Sequence, residues 1–259
     1  MTLKIIERDW NWWAYFWRVS HRQTLQGIEQ WDRKVVEFII KVLGCRKGER
    51  LLDLGCGSGE HTRLLTKYGI ECVGIDIAPS IIKYAKRKAK EEGVDVRYFV
   101  QDMRTIRYDS EFDYCTMLSG TFGIFGKDEN LELLKKIKKA LKPNGKLIFD
   151  IRNPEMKQQY GKGWMSINGG YLLSESKFNP KTKEEQAEYL FIDKRGRINT
   201  MIKELKKEVH HIYSFSEVKS ILHKAGLDYR NAYSGFQIPL VKFHRFSSSS
   251  NIVIVSHNV

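Results

Sequence analysis

Long apolar runs are missing from this sequence. None approaches the roughly 20 residues that a membrane-spanning helix needs, and the best candidate, 35–43, is broken by Glu37 and Lys41. Lys4, Glu7, Arg8 and Asp9 interrupt any apolar stretch near the start, so a secretory leader is not expected and a cytoplasmic protein is. Cysteine is scarce too. Cys45, Cys56, Cys72 and Cys115 include no C-x-x-C pair, so neither a zinc site nor a thioredoxin-type motif is indicated, and the four read as reduced thiols. There is no internal repeat and no arginine-rich block. What the chain does carry is a net charge of +13 over 259 residues. An excess of this size admits an anionic partner such as nucleic acid. It is spread over the whole chain, however, and abundant glutamate accompanies the lysine, which also suits life at high temperature.

A chain of this length buries one substantial core and still carries an elaboration. With 42% hydrophobic and 29% charged residues, it has the composition of a soluble globular enzyme. Residues 10–43 have helical periodicity, with Trp13, Phe16 and Trp17 on one face and Ile28, Trp31, Val35, Ile39 and Leu43 on another. From Arg50 onward, short apolar runs alternate with helical stretches. Strands are expected at 50–54, 71–76, 94–100, 112–118 and 146–151, with helices at 61–67, 79–92 and 129–141. This alternation implies a parallel sheet with helices on both faces and right-handed crossovers. Beyond Asn153-Pro154 the pattern changes to three or four longer, polar-rich β segments within 164–213, read as an antiparallel insert over the ligand site. The core pattern returns with a helix at 215–226 and a strand pair at 227–236 and 252–256. The expected architecture is therefore α/β: a Rossmann-like seven-stranded mixed sheet with an N-terminal helical extension and a β insert after strand five. The core takes residues 1–152 and 214–259, and the insert takes 153–213.

The segment Leu51-Leu52-Asp53-Leu54-Gly55-Cys56-Gly57-Ser58-Gly59 follows a strand and opens a helix. Glycine there lets a ligand approach the backbone closely. The helix start adds free N–H groups and the positive end of its dipole, which suit a carboxylate. A dinucleotide loop would read G-x-G-x-x-G, but the third glycine would fall on Glu60 or Thr62. A phosphate loop fails as well, because no Gly-Lys-Ser or Gly-Lys-Thr follows.

This segment resembles motif I of the class I S-adenosylmethionine-dependent methyltransferases, hydrophobic-D/E-x-G-x-G-x-G. The resemblance covers about residues 48–152, with a weaker echo at 215–236, and it implies S-adenosyl-L-methionine as cofactor and S-adenosyl-L-homocysteine as product. It places Asp53, Gly55, Cys56, Gly57 and Gly59 at the cofactor. Asp76, at the tip of the second strand, matches the acidic residue that holds the ribose hydroxyls, with Ile77 near the adenine. Asp102 matches the residue at the adenine amino group, with the Met103 backbone N–H beside it. Phe112-Asp113 looks like the opening of the fourth strand, and Leu118 ends it at the cofactor. The following Thr121-Phe122-Gly123-Ile124-Phe125 looks like the x-F-G-x-F loop of small-molecule members. There Phe122 and Phe125 either flank the sulfonium or pack in the core. Leu141-Lys142-Pro143-Asn144-Gly145 is similar to the family's turn into strand five, with Asn144 tolerating positive φ. The aromatic-rich stretch of Trp10, Trp12, Trp13, Tyr15, Phe16 and Trp17 reads either as a helix packed on the sheet edge or as a lid. In the lid reading, Tyr15 or Arg18 stands at the cofactor carboxylate.

The methyl group of such a cofactor is already activated, so the enzyme has mainly to align a nucleophile and exclude water. No D/N/S-P-P-Y/F follows strand four, which argues against exocyclic base or amide nitrogens. Cys115 follows Tyr114 rather than proline, which argues against the cytosine-C5 enzymes. A small-molecule N or O acceptor is the first expectation, and RNA or protein, favoured by the charge, is the alternative. No metal is expected. His210, His211, His223 and His244 are candidate bases, and His210 and His211 lie in the insert over the site.

Overall fold

The computed structural model describes residues 4–21, 27–154, 160–167, 169–201, 208–243 and 251–258. Of the features singled out above, His244 and the side chain of Trp10 lie outside the described residues. Strand β1 (Ile5–Arg8) and helix α1 (Trp10–Tyr15) lead into a π-helical turn, Phe16–His21, and then α2 (Ile28–Leu43). The alternating core follows: β2 (Arg50–Leu54), α3 (Glu60–Lys67), β3 (Glu71–Asp76), α4 (Pro79–Glu91), β4 (Arg97–Val100), β5 (Phe112–Met117), α5 (Lys127–Ala140) and β6 (Leu141–Arg152). A second group of strands comes next: β7 (Gly161–Ile167), β8 (Gly170–Asn179), β9 (Glu184–Ile192), β10 (Ile198–Met201) and β11 (Glu208–His211). Helix α6 (Phe215–Lys224), β12 (Leu227–Ser234) and β13 (Asn251–Asn258) close the chain.

The main sheet has seven strands in the order β12-β13-β6-β5-β2-β3-β4. β2 runs parallel to both β3 and β5, while β13 is antiparallel to β6 and β12. The fold is thus the mixed, Rossmann-like α/β sheet expected from the alternation. Alternate side chains of each strand face opposite sides. Leu52 and Leu54, Cys115 and Met117, and Leu147 and Phe149 bury themselves with Leu133, Leu134 and Ile137 of α5 and Val218 and Leu222 of α6. Leu51, Cys72, Tyr114 and Ile148 point the other way, onto Val35, Val36, Phe38, Ile39 and Leu43 of α2 and Leu65 of α3. The chain leaves β2 for β3 on one side and pairs with β5 on the other, so the strand order reverses at β2. A crevice opens at the carboxyl ends of strands around such a point.

The second sheet runs β1-β10-β9-β8-β7, with β11 also on β9. It contains five strands from the region read as three or four, plus one from the N-terminus. β1 pairs in parallel with β10, Ile5 opposite Ile198, and Arg8 Nε donates to Asn199 Oδ1 at 2.9 Å. Four residues pairing with a strand some 190 positions away leave no local periodicity to read. Trp13 and Phe16 are buried against Ile167, Leu172 and Phe191 of this sheet. Trp12 stacks on Phe16 at 5.3 Å, and Trp17 meets Tyr189 edge-on at 5.0 Å. The other end of α1 is tied to α4, where Ser80 N donates to Asn11 Oδ1 at 2.8 Å and Ser80 Oγ to Asn11 O at 3.0 Å.

Two local expectations change. The helical stretch 10–43 is interrupted, and α2 restarts after Gly27, whose φ is 72°. On α2, Trp31 is 47% exposed, and Asp32 takes the buried place one position on, facing His61 Nε2 at 3.2 Å. Among the described residues, no helix is long and apolar enough to cross a membrane.

Gly74 marks a tight point beneath the crevice: a Cβ there would lie 2.8 Å from the Tyr98 ring and 2.9 Å from Cys56 Sγ. Overpacking of this kind costs about 1–3 kcal/mol. Gly74→Ala should therefore lower the melting temperature by about 2–10 °C, and Cys56→Ala in the same chain should recover part of that loss. Scanning calorimetry of the two variants checks it.

Candidate active site

The crevice is built around a turn with no side chains in its way. Gly55, Gly57 and Gly59 have φ of 71°, 55° and 77°, the left-handed region that glycine occupies without strain. The turn is fastened to the end of β3. Gly55 N and Cys56 N both donate to Ile75 O at 2.9 Å, and Gly57 N donates to Asp76 Oδ2 at 3.1 Å. Ala78 N donates to the other oxygen, Asp76 Oδ1, at 2.9 Å. Each carboxylate oxygen keeps an acceptor site for a ligand hydroxyl. Ile77, next along, is 61% exposed and lies open for a flat ring to cover.

The three glycines serve different neighbours. At Gly57 a Cβ would lie 3.2 Å from Arg18 Cδ, above the turn. At Gly55 it would meet Thr121 Cγ2 at 3.1 Å and Met103 Cε at 3.5 Å, across the crevice. At Gly59 it would run into the Tyr98 hydroxyl at 2.3 Å, beneath the turn. Gly59 thus lets α3 close on β4, the packing role of the third glycine in related loops. Cys56 also points down, and burial first, then the Asp53 and Asp76 charges, push its thiol well above the ordinary range. Asp53 lies deeper still, 4% exposed, and accepts from Thr116 Oγ1 at 2.6 Å. Burial raises its carboxyl, while the Thr116 hydrogen bond and the charges of His61 and Arg18 oppose the rise.

Sequence reasoning assigned no individual role to four residues that shape the turn. Arg63, 7% exposed, donates from its guanidinium to Ser58 O at 2.6 Å and to Glu92 Oε1 at 2.8 Å, holding the turn from below. Thr62 Oγ1 and Tyr98 Oη lie 2.6 Å apart under Gly59. Thr121, whose hydroxyl donates to Leu118 O at 2.6 Å, faces Gly55. The available signal was polar side chains at positions where the sheet and helix period demand burial.

Arg18 is carried to the crevice by the π-helical turn, and Ser58 Oγ donates to its carbonyl at 3.1 Å. Its charge reaches Asp53 and Cys56. Tyr15 instead sits edge-on to Tyr84 of α4 at 6.3 Å. Met103 Cε faces Gly55 across the crevice, while the Leu118 side chain is buried in the cluster that packs on α2. The Asp102 carboxylate caps the turn at Met103–Thr105 and grips Arg104, Nη2 to Oδ2 at 2.7 Å. That hydrogen bond holds its carboxyl below the ordinary range. Both loop phenylalanines are engaged in packing. Phe122, 4% exposed, lies 4.8 Å from the Phe149 ring and 4.9 Å from Tyr213, and Arg104 covers the Phe125 ring at 4.6 Å.

The loop carrying Thr121 is bent by Ser119 and Gly120, with φ of 62° and 71°, and Gly120 N donates to the fully buried Asp150 at 3.1 Å. β11 closes against its far side, His211 N donating to Gly123 O at 2.8 Å. His210 and His211 therefore both line a narrow cavity behind Gly120 and Phe122. His223, on α6, is solvent-exposed. Among the described residues, no group of His, Cys, Asp or Glu could hold a metal ion.

Residues 51–145 match the model of a methyltransferase domain family. The ubiquinone biosynthesis O-methyltransferase of Coxiella burnetii is 30% identical over 112 residues, which are 43% of this chain and 47% of that protein. The chain spans about half the length of the curated relatives it matches. Among solved structures, an S-adenosylmethionine-dependent methyltransferase from Clostridium acetobutylicum superposes with a TM-score of 0.74 at 17% identity, covering 96% of this chain and 98% of that one. The sugar N-methyltransferase KedS8 from Streptoalloteichus gives 0.64 at 20%, covering 94% and 92%.

Proposed function

We propose that residues 51–145, which match a methyltransferase domain family, form a class I S-adenosylmethionine-dependent methyltransferase domain, and that the protein moves a methyl group from S-adenosyl-L-methionine to an N or O atom of a small molecule. The observation that carries this reading is the bare turn Gly55–Gly59 fastened to the carboxylate of Asp76. When bound, the cofactor supplies a methyl group made electrophilic by a positively charged sulfur. Asp76 accepts the two ribose hydroxyls, and Ile77 offers its exposed side chain to the adenine. Arg18, above Gly57, answers the carboxylate of the amino-acid part, with the N–H groups at the start of α3 beside it. The remaining task is to hold the acceptor in line and keep water out. The β5–α5 loop and the second sheet stand where that closure is needed. The names of two similar proteins, a ubiquinone biosynthesis O-methyltransferase and, in fold, a sugar N-methyltransferase, support a small acceptor.

The charge of +13 favours RNA as the second reading. Tritiated-methyl cofactor, incubated separately with a small-molecule extract and with total RNA, decides between them: label in the extract is expected, and label confined to RNA reverses the assignment. Asp76→Ala should leave the chain folded and weaken S-adenosyl-L-homocysteine by about 100-fold, since two hydrogen bonds to a charged group are worth roughly 3 kcal/mol together. Titration calorimetry reads this directly, and unchanged affinity would remove Asp76 from the ribose.

A further inference from the structure

The second sheet is apolar on both faces. Side chains alternate along its strands, and the inner set, Ile167, Leu172 and Phe191, packs on Trp13 and Phe16. The outer set lines up in rows across β7, β8, β9, β10 and β1. One row is Ser166, Tyr171, Ile192, Ile198 and Ile5, and the next is Trp164, Leu173, Leu190, Thr200 and Glu7. An antiparallel sheet with one packed face ordinarily turns polar side chains to water. Here Trp164 is 72% and Ile5 65% exposed, and Tyr171 and Leu173 between them are exposed as well. Lys162, Trp164, Tyr171, Leu173 and Ile192 line an open trough of about 470 Å³. A contiguous exposed apolar patch of this kind marks a contact surface.

Charge says what the surface meets. The patch ends at the β9–β10 turn, Asp193-Lys194-Arg195-Gly196-Arg197, which touches the β7–β8 turn: a Cβ on Gly169 would lie 3.9 Å from Lys194 Cβ. The acidic groups nearby are engaged. Asp193 is held by Arg197 Nε at 2.7 Å, and Glu175 by Lys177 Nζ at 3.0 Å. Lys4, Lys162, Lys194 and Arg195 are exposed, and among the described residues none of them is in an ion pair. Glu7 and Glu188 stand further back from the turn. The apolar rows therefore carry a basic rim. A two-fold contact between copies would press that rim toward its own image, like charge on like charge. Lipid phosphates neutralise it instead, and each Lys or Arg near an anionic leaflet adds affinity. Tryptophan and tyrosine suit the boundary between headgroups and acyl chains, because each has an apolar body and a polar tip.

We propose that the outer face of the second sheet docks on an anionic lipid bilayer. Its apolar rows enter the headgroup boundary, and the basic rim meets the phosphates. The protein then lies on the membrane and does not span it. This inference goes beyond the methyltransferase reading and stands without it.

The test is sedimentation of the full chain with phosphatidylcholine vesicles, with and without phosphatidylglycerol, at low and at high salt. The protein should pellet with the anionic vesicles and be released by salt. Trp164→Ser should weaken that binding about 10-fold, and Lys194→Gln together with Arg195→Gln about 20-fold. Trp31→Ser, at an exposed tryptophan on α2, should bind as wild type does. Lipid brominated in its acyl chains should quench tryptophan emission in wild type and in Trp31→Ser, and much less in Trp164→Ser at saturating lipid. These positions are exposed, so the variants should keep the wild-type melting temperature. A chain that stays in the supernatant with anionic vesicles overturns the proposal. So does equal binding to phosphatidylcholine alone, or binding that the Trp164 and Lys194–Arg195 variants leave unchanged. A dimer in analytical ultracentrifugation that Trp164→Ser abolishes, with no vesicle binding, gives the face to a second copy and overturns it too. S-adenosyl-L-homocysteine affinity is measured separately, so failure here leaves the methyltransferase reading standing.

Discussion

The hydrogen bonds that pin the Gly55–Gly57 backbone to the tip of β3 are the constraint on which the rest of the site depends. Ile75 O takes two of the N–H groups of this turn, and Asp76 takes a third and also caps the start of the next segment through Ala78. Because one carboxylate serves both the turn and the mouth of the crevice, the two cannot move apart without leaving buried N–H groups unpaired. The tight contacts below the turn follow from the same demand. Tyr98 comes under Gly59 and Gly74, and Arg63 reaches up to Ser58 O, so the backbone is supported from a side that no ligand visits. A side chain on any of these glycines would push the turn off its support or into the crevice.

The second sheet has its own anchor. Aromatic side chains of the first helical turns, Trp13 and Phe16 above all, are buried against Ile167, Leu172 and Phe191 of β7, β8 and β9. The chain then carries Arg18 directly over Gly57. One segment thereby fastens the added sheet to the core and carries Arg18 to the crevice. The outer face of that sheet is left with Trp164 at 72% and Tyr171 at 53% exposure.

Several elements were legible because their signals are local. The strand–glycine–helix run at 50–67 carries its own period and punctuation, and Asp76 follows from the length of one β–α–β unit. The alternation of Leu51 with Leu52, or Ile148 with Phe149, already states that both faces of the sheet are covered. Other elements left no such trace. β1 is four residues whose partner is β10, and pairing across so many positions has no periodic signature in either strand. Trp31 and Asp32 exchange places on α2 because the helix is rotated by what it packs on, which its own hydrophobic pattern does not contain. Phe122 stood between two roles in the sequence, and its contacts with Phe149 and Tyr213 come from strands six and the insert.

The amino-acid sequence by itself determined the α/β class, the position of the glycine turn and the carboxylate beside it, because backbone freedom and hydrophobic period are properties of neighbouring residues. Only the tertiary structure decided which face each of those residues presents. It brought Arg18 over the turn, took Gly59 and Cys56 below it, and stitched His211 to Gly123 behind the β5–α5 loop. Those placements arise from contacts between segments far apart in the chain, and close packing resolves them only when the whole core is assembled.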